Sequence, residues 1–317
     1  MKQYRSNFLN SIRKLDKRRQ SKRHECFFSK INLSRADLAG VNLSHESLAR
    51  ANLSGIDLTN ADLQETNFIW ADLNGAILSG ANLSRAYLHY ASLLWADLSR
   101  AYIAKADFSC AKLNQTDLTM VIAVNAKFMG ATLNEANLTK GNFTAADFFN
   151  ANLKSAECTD VNFSDANLER VSLQNTILFE ANLQRANLGK AELQQAILRN
   201  ANLTKAHLVG GDLTQVDLSE ATIRFAELEM ANLTRANLTR ADLSQSSLFG
   251  ACLEGAILNG AKLSNTDLRQ ANLDYTQLEN ADLSRALVEG AIFSDVRGLS
   301  REQKKWLKAN GALNIEH

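Results

Sequence analysis

Ala51-Asn52-Leu53-Ser54-Gly55, and ten residues on Ala61-Asp62-Leu63-Gln64-Glu65, show the beat that runs from Cys26 to Asp295 as 54 consecutive five-residue units with no insertion or deletion. The central apolar residue of each unit, position i, falls at Phe28, Leu33, Leu38 and every fifth residue to Phe293, and 49 of the 54 are Leu or Phe. Position i−2 is Ala in 37 of 54. On an α-helix five residues advance about 500°, so these leucines would spiral round every side and form no stripe. On a straight strand an odd period throws successive leucines onto opposite faces, which buries neither set. The backbone must therefore turn about once per unit.

Turning in this way carries i and i−2 inward and leaves i−1, i+1 and i+2 facing water. The composition agrees, since i−1 is mostly Asn or Asp and i+1 is rich in Ser, Thr and Gln. Ten of the fifteen glycines stand at i+2, the residue type that a corner with φ above zero favours. There is no proline, as expected where backbone N–H groups bond to the coils above and below. Each unit adds rungs to a stacked parallel ladder, so stability accumulates by stacking. A buried Leu contributes about 1.5 to 3 kcal/mol against a similar cost of ordering its unit, and no coil stands alone. Ala123 and Cys158 are undersized at i and read as local weak points. Glu46 is a charge at an inward i−2, expected to tilt outward at a distorted corner.

The A(D/N)LXX pattern resembles the pentapeptide repeat family over 270 of 317 residues. The resemblance implies an all-β solenoid: a right-handed, four-sided β-helix with four units per coil, hence about 13 coils and a rod roughly 65 Å long. It also implies short helical segments at the ends. The chain then divides into a basic N-terminal helix or tail over 1–25, the β-helix over 26–295 and a capping helix over 296–317. In the last segment Ser300 reads as an N-cap, Gln303 completes a capping box, Gly311 stops the helix, and Trp306 and Leu307 plug the last coil.

Residues 1–25 carry nine Lys or Arg against Asp16 and Glu25, while the repeats carry 21 basic and 30 acidic residues, net −9. The overall charge of +1 conceals these opposed segments. Tyr4, Phe8, Ile12 and Leu15 fall at helical spacing, and Arg13, Lys14, Lys17, Arg18, Arg19, Lys22 and Arg23 are the candidate contacts to an anionic partner, nucleic acid or membrane. The simpler expectation is a cap with a solvated basic tail. No hydrophobic run reaches signal-peptide or transmembrane length, which makes a soluble, cytoplasmic protein the expectation. Cys26, Cys110, Cys158 and Cys252 occupy four different repeat positions, so neither zinc nor disulfides are indicated.

Five scattered histidines form no constellation with a nucleophile or carboxylate, and a filled rod lacks a catalytic cleft, so the sequence reads as no enzyme and implies no cofactor. What remains is surface. Residues twenty apart stack in columns if the coil holds four units. Asn142, Asn162, Asn182 and Asn202 then read as an amide ladder. Ile69, Trp70, Tyr87, His89, Tyr90, Leu94, Trp95 and Phe149 form a candidate patch for a protein partner or self-association, with Trp70 beside Tyr90. The leading reading is a non-enzymatic protein-binding or scaffold rod.

The resemblance also implies a second reading, mimicry of DNA to modulate a type II topoisomerase (DNA gyrase), as in the quinolone-resistance branch. Asp37, Asp57, Asp97, Asp117 and Glu157, with Asp217, make a candidate acidic column. Magnitude opposes it: net −9 over roughly 65 Å is about one charge per 7 Å, against one per about 1.7 Å in duplex DNA. Fourteen of the 21 basic repeat residues stand at i+2, Arg100 and Lys140 beside the acidic column among them. The gyrase-binding branch also carries loops that an uninterrupted register leaves out.

Overall fold

The computed structural model describes residues 30–315. The expectations placed on the basic segment 1–25 lie outside the described residues. Every i−1 residue forms one parallel β-bridge with the i−1 residue twenty positions on, from Asn32 with Asn52 through to Gln277 with Arg297. Twenty residues are four units, so the bridges run in four ladders. Each unit contributes a single bridged residue, too short a run to be a strand.

In units with Asn or Asp at i−1 the five-residue beat gives each backbone N–H an acceptor in turn, which explains the pattern residue by residue. The N–H of Leu53 donates upward to Asp72 O (2.7 Å) and that of Gly55 to Asn74 O (2.8 Å). The N–H of Asn52 donates downward to Ile31 O (2.9 Å), and that of Ile56 folds back to Leu53 O (3.1 Å). The fifth, on i+1, has no backbone acceptor. It is taken by the side chain at i−1: Ser54 N donates to Asn52 Oδ1 (3.2 Å) and Thr59 N to Asp57 Oδ1 (2.9 Å). Asn and Asp thus stand at i−1 because the turn needs their oxygen, not merely because that position meets water. Where i−1 is Ser92 or Thr132, an Asn one coil below substitutes, and Asn74 Oδ1 accepts from Leu94 N (2.9 Å) and Asn114 Oδ1 from Asn134 N (3.0 Å).

All 54 corners from Lys30 to Asp295 have φ between 54° and 72°. Ten are glycine and the other 44 are not, so the left-handed corner is imposed on ordinary residues by the stack. None of the 54 is Val, Ile or Thr. Their branched Cβ clashes most severely in that region, whereas the unbranched residues tolerate it.

Inside, the i and i−2 side chains form one continuous core. Between Phe108 and Phe163 it is aromatic: Phe108, Phe128 and Phe148 stack in one column at 5.0 and 4.6 Å, with Phe143 and Phe163 packed tilted or edge-on beside them. Ala123 lies one coil below Phe143 in its column, and Cys158 shares a coil with Phe148 and Phe163; both are fully buried. Both undersized residues thus stand next to the phenylalanine cluster in the core. Buried threonines at i−2 are satisfied, as Thr66 Oγ1 donates to Leu43 O (2.8 Å). Glu46 is half-buried, its N–H keeps the turn bond to Leu43 O and its carbonyl accepts from Asn67 N on the coil above, and His45 at the corner has an ordinary φ of 64°, so no distortion accompanies the charge. The Asn column is less regular than an amide ladder. Asn182 Nδ2 donates to Asn162 Oδ1 (3.1 Å), but Asn162 Nδ2 turns to Thr144 Oγ1 (3.0 Å).

Helix α1, Arg301–Ala309, closes the far end. Ser300 is its N-cap with both capping-box bonds, and Gly311 follows with φ 84°. Gln303 Nε2 also donates to Ala281 O (3.0 Å) on the last full coil. Leu307 is fully buried and Trp306 half-buried against the core. The chain then rejoins the ladder, Leu313 bridging Ile292 with an offset of 21 instead of 20.

Candidate protein-interaction surface

Trp70 and Tyr90 are both corner residues of one column, and their rings stack at 4.4 Å with planes 12° apart. Corner side chains project furthest from the axis, so stacking on each other is the burial open to them. Trp70 stays 54% and Tyr90 47% exposed. Tyr87, on the bridge ladder of the same unit, is also exposed. His89 lies with its ring 6.2 Å from that of Tyr90, and its Nδ1 is 3.4 Å from Asp107 Oδ1 on the coil above. Ile69 is half-buried beside Trp70.

Trp95 stands at the next corner, 64% exposed. Its Nε1–H donates to Gln115 Oε1 directly above, and Gln115 Nε2 donates to Glu135 Oε2 (2.7 Å), a chain of polar bonds along one corner. Leu94, between the two corners, is half-buried with its N–H held by Asn74. Seven of the eight patch residues thus gather within about two coils, five on the units of Trp70 and Tyr90 and two, Leu94 and Trp95, on the adjoining unit. Phe149 does not join them. It lies three coils above His89 in its column, beyond buried Ser109, with only Met129 as an apolar neighbour in between.

The acidic column is in place as one ladder, but interrupted. Ile77 separates Asp57 from Asp97, and Asn137 separates Asp117 from Glu157. Its aspartates are committed to their own turns: Asp37 Oδ1 accepts from Ala39 N (3.2 Å), Asp97 Oδ1 from Ser99 N and Asp117 Oδ1 from Thr119 N (both 2.8 Å). Each thus has one oxygen engaged by its own turn, and Asp217 Oδ2 is 3.7 Å from Arg199 Nε. At the corners charges pair between coils, most closely where Arg185 Nε and Nη2 donate to both oxygens of Asp165 (2.6 and 2.7 Å). That fork lowers the Asp165 pKa.

Two exposed apolar groups escaped the sequence reading. Tyr102, Met120 and Ile122 lie together, and Val209, Met230 and Phe249 form another, with Arg269 over the Phe249 ring at 5.8 Å. Sorting outward residues by the twenty-residue offset over every ladder would have found both. Among the described residues no three His, Cys, Asp or Glu side chains are placed to hold a metal ion. None of the described helices is long and apolar enough to cross a membrane.

A core filled along its length, with side-chain diversity confined to the outside, defines a repeat solenoid. The chain belongs to the pentapeptide repeat family: the family model described as pentapeptide repeats matches residues 47–119 and 126–297 in overlapping stretches. The unmatched gap contains Val121-Ile122-Ala123-Val124-Asn125, where the pattern is weakest but the ladder continues through Ile122. Among solved structures, HetL, a pentapeptide repeat protein involved in heterocyst differentiation regulation from Nostoc sp. strain PCC 7120, is 33% identical, over 81% of this chain and 90% of its own, with a TM-score of 0.27. QnrB1, a plasmid-mediated fluoroquinolone resistance protein, is 17% identical over 66% of this chain and 94% of its own, with a TM-score of 0.44, and shares the fold alone. A pentapeptide repeat protein of the Arabidopsis thaliana thylakoid lumen is 28% identical over 36% of this chain and 81% of its own, with a TM-score of 0.35. No curated protein sequence matches the chain.

Proposed function

We propose that this chain is a non-catalytic, protein-binding rod, right-handed and four-sided with about 13 coils, whose principal contact surface is the aromatic corner of Trp70 and Tyr90 with Trp95, Leu94, Tyr87 and His89 around it. The twenty-residue offset of the bridges supports the four-sided form, and α1 supports a separate C-terminal cap. The observation that carries the function is the Trp70–Tyr90 stack, two large rings held flat against each other and half open to water. Outward Trp and Tyr on an otherwise polar surface are the residues that anchor protein interfaces, because they bring large area at little entropic cost. The partner is a second protein or a second copy of this chain.

The test compares the intact protein with the Trp70→Ala/Tyr90→Ala double variant, in affinity capture and in sedimentation of the purified chain. Loss of a captured partner or of a dimer in the variant is the expected outcome, and identical behaviour of the two proteins overturns the proposal. A supercoiling assay with purified gyrase addresses the topoisomerase reading separately. No effect at large molar excess removes it, in keeping with acidic side chains tied into their own turns.

A further inference from the structure

Away from the aromatic corner, Asp62, Asn82 and Tyr102 follow one another up a different ladder. A shallow groove of about 370 Å³ opens along it, lined by Asn60, Asp62, Gly80, Asn82, Ser84 and Tyr102. Gly80 lets Asn60 reach into the lining. It is a corner residue, and the Asn60 carboxamide of the coil below lies where its Cβ would stand.

The lining is well supplied with unused hydrogen-bonding groups. The turns consume Asp62 Oδ1, which accepts from Gln64 N (3.3 Å), and Asn82 Oδ1, which accepts from Ser84 N (3.2 Å). Among the described residues this leaves Asp62 Oδ2, the Asn82 and Asn60 amides and the Ser84 and Tyr102 hydroxyls without a protein partner. Tyr102 is 51% exposed and has no ring stacked on it, unlike Trp70 and Tyr90.

That chemistry selects the ligand. No cation lines the groove and one carboxylate does, which disfavours phosphates and carboxylates. Amides, hydroxyls and a single carboxylate offer both donors and acceptors to a neutral ligand rich in hydroxyls. An exposed phenol ring offers an apolar platform to the C–H face of the same ligand. An open groove running along the rod suits an extended chain more than an enclosed small molecule. We propose that this groove binds a neutral oligosaccharide, with Tyr102 as the stacking platform and Asn60, Asp62, Asn82 and Ser84 as the hydrogen-bonding groups. The inference is independent of the protein-binding corner, and its failure leaves that reading untouched.

The experiment titrates the full chain with maltohexaose, cellohexaose and chitohexaose, read by saturation-transfer NMR and calorimetry. At least one of the three is expected to bind saturably with a Kd of about a millimolar, the range for a shallow site. Tyr102→Ala should weaken it at least about tenfold, and so should Gly80→Arg, which fills the groove at a corner type that accepts Arg elsewhere, as at Arg85 and Arg100. Thermal unfolding verifies that each variant is folded, and if Tyr102→Ala is not, Gly80→Arg decides. Binding by none of the three sugars, binding that survives in the folded groove variant, or binding lost with Trp70→Ala instead would overturn the proposal.

Discussion

The ring of Trp70 lies on the ring of Tyr90 one coil above it, centroids 4.4 Å apart, with both backbones in the left-handed region at φ 61° and 58°. The stack exists because the corner position repeats at a fixed offset along the rod. Such a pair contributes about 0.5 to 1.5 kcal/mol beyond its buried area. A double-mutant cycle on Trp70→Ala and Tyr90→Ala, followed by urea titration, should return a coupling of that size. Coupling near zero would show that the rings do not support each other in solution.

Asp57 holds the turn of its unit, accepting from both the N–H and the hydroxyl of Thr59 (2.9 and 2.6 Å). Asp57→Ala should destabilise by about 1 to 2 kcal/mol by orphaning that N–H, and Asp57→Asn should restore most of it. Hydrogen exchange at the Thr59 amide is the direct reading. It should accelerate in the Ala variant and remain slow in the Asn variant.

Gly75 separates backbone strain from packing, since a Cβ added there meets nothing within 4 Å while φ is 62°. Gly75→Ala should cost about 1 kcal/mol and Gly75→Val distinctly more, in keeping with the absence of β-branched residues from all corners. Equal midpoints for the two variants in a denaturant titration would contradict a steric origin for that absence.

The Asp165–Arg185 fork makes stability depend on acid. Hydrogen bonding by Arg185, reinforced by its charge, lowers the Asp165 pKa below the ordinary 3.8. A carboxyl with a depressed folded-state pKa adds stability that is fully present above its unfolded value and is lost as pH falls through the folded one. Stability of the wild type should therefore fall more steeply than that of Asp165→Asn as pH drops below about 4. Both side chains are largely solvated, so the difference should be small and should shrink further in salt. Parallel curves for the two proteins would show that the pair contributes nothing.

The cysteines test whether the bore is closed. Cys158 is buried at the core and burial raises its thiol pKa far above the usual range, whereas Cys110 is exposed at a corner. Alkylation of the native protein followed by peptide mass mapping should label Cys110 readily and Cys158 only after unfolding. Native-state labelling of Cys158 would mean that the core opens.

The period of five determined by itself which side chains point inward, because no helix or straight strand can bury an apolar residue at that spacing. The capping box of Ser300 and Gln303 was equally legible, since a cap is settled by residues three apart. Other features required the coil to close on itself. That 44 non-glycine corners share one left-handed conformation follows from hydrogen bonds reaching twenty residues away, and glycine frequency alone pointed to only ten of them. The role of i−1 as an acceptor for its own turn was hidden behind its polarity. Phe149 read as part of the aromatic patch until the coils placed it three layers from His89. Tyr102, Gly80 and Asn60 became one groove only when units 20 to 42 residues apart were stacked, because which side chains share a surface is decided by the pitch of the winding and not by their order in the chain.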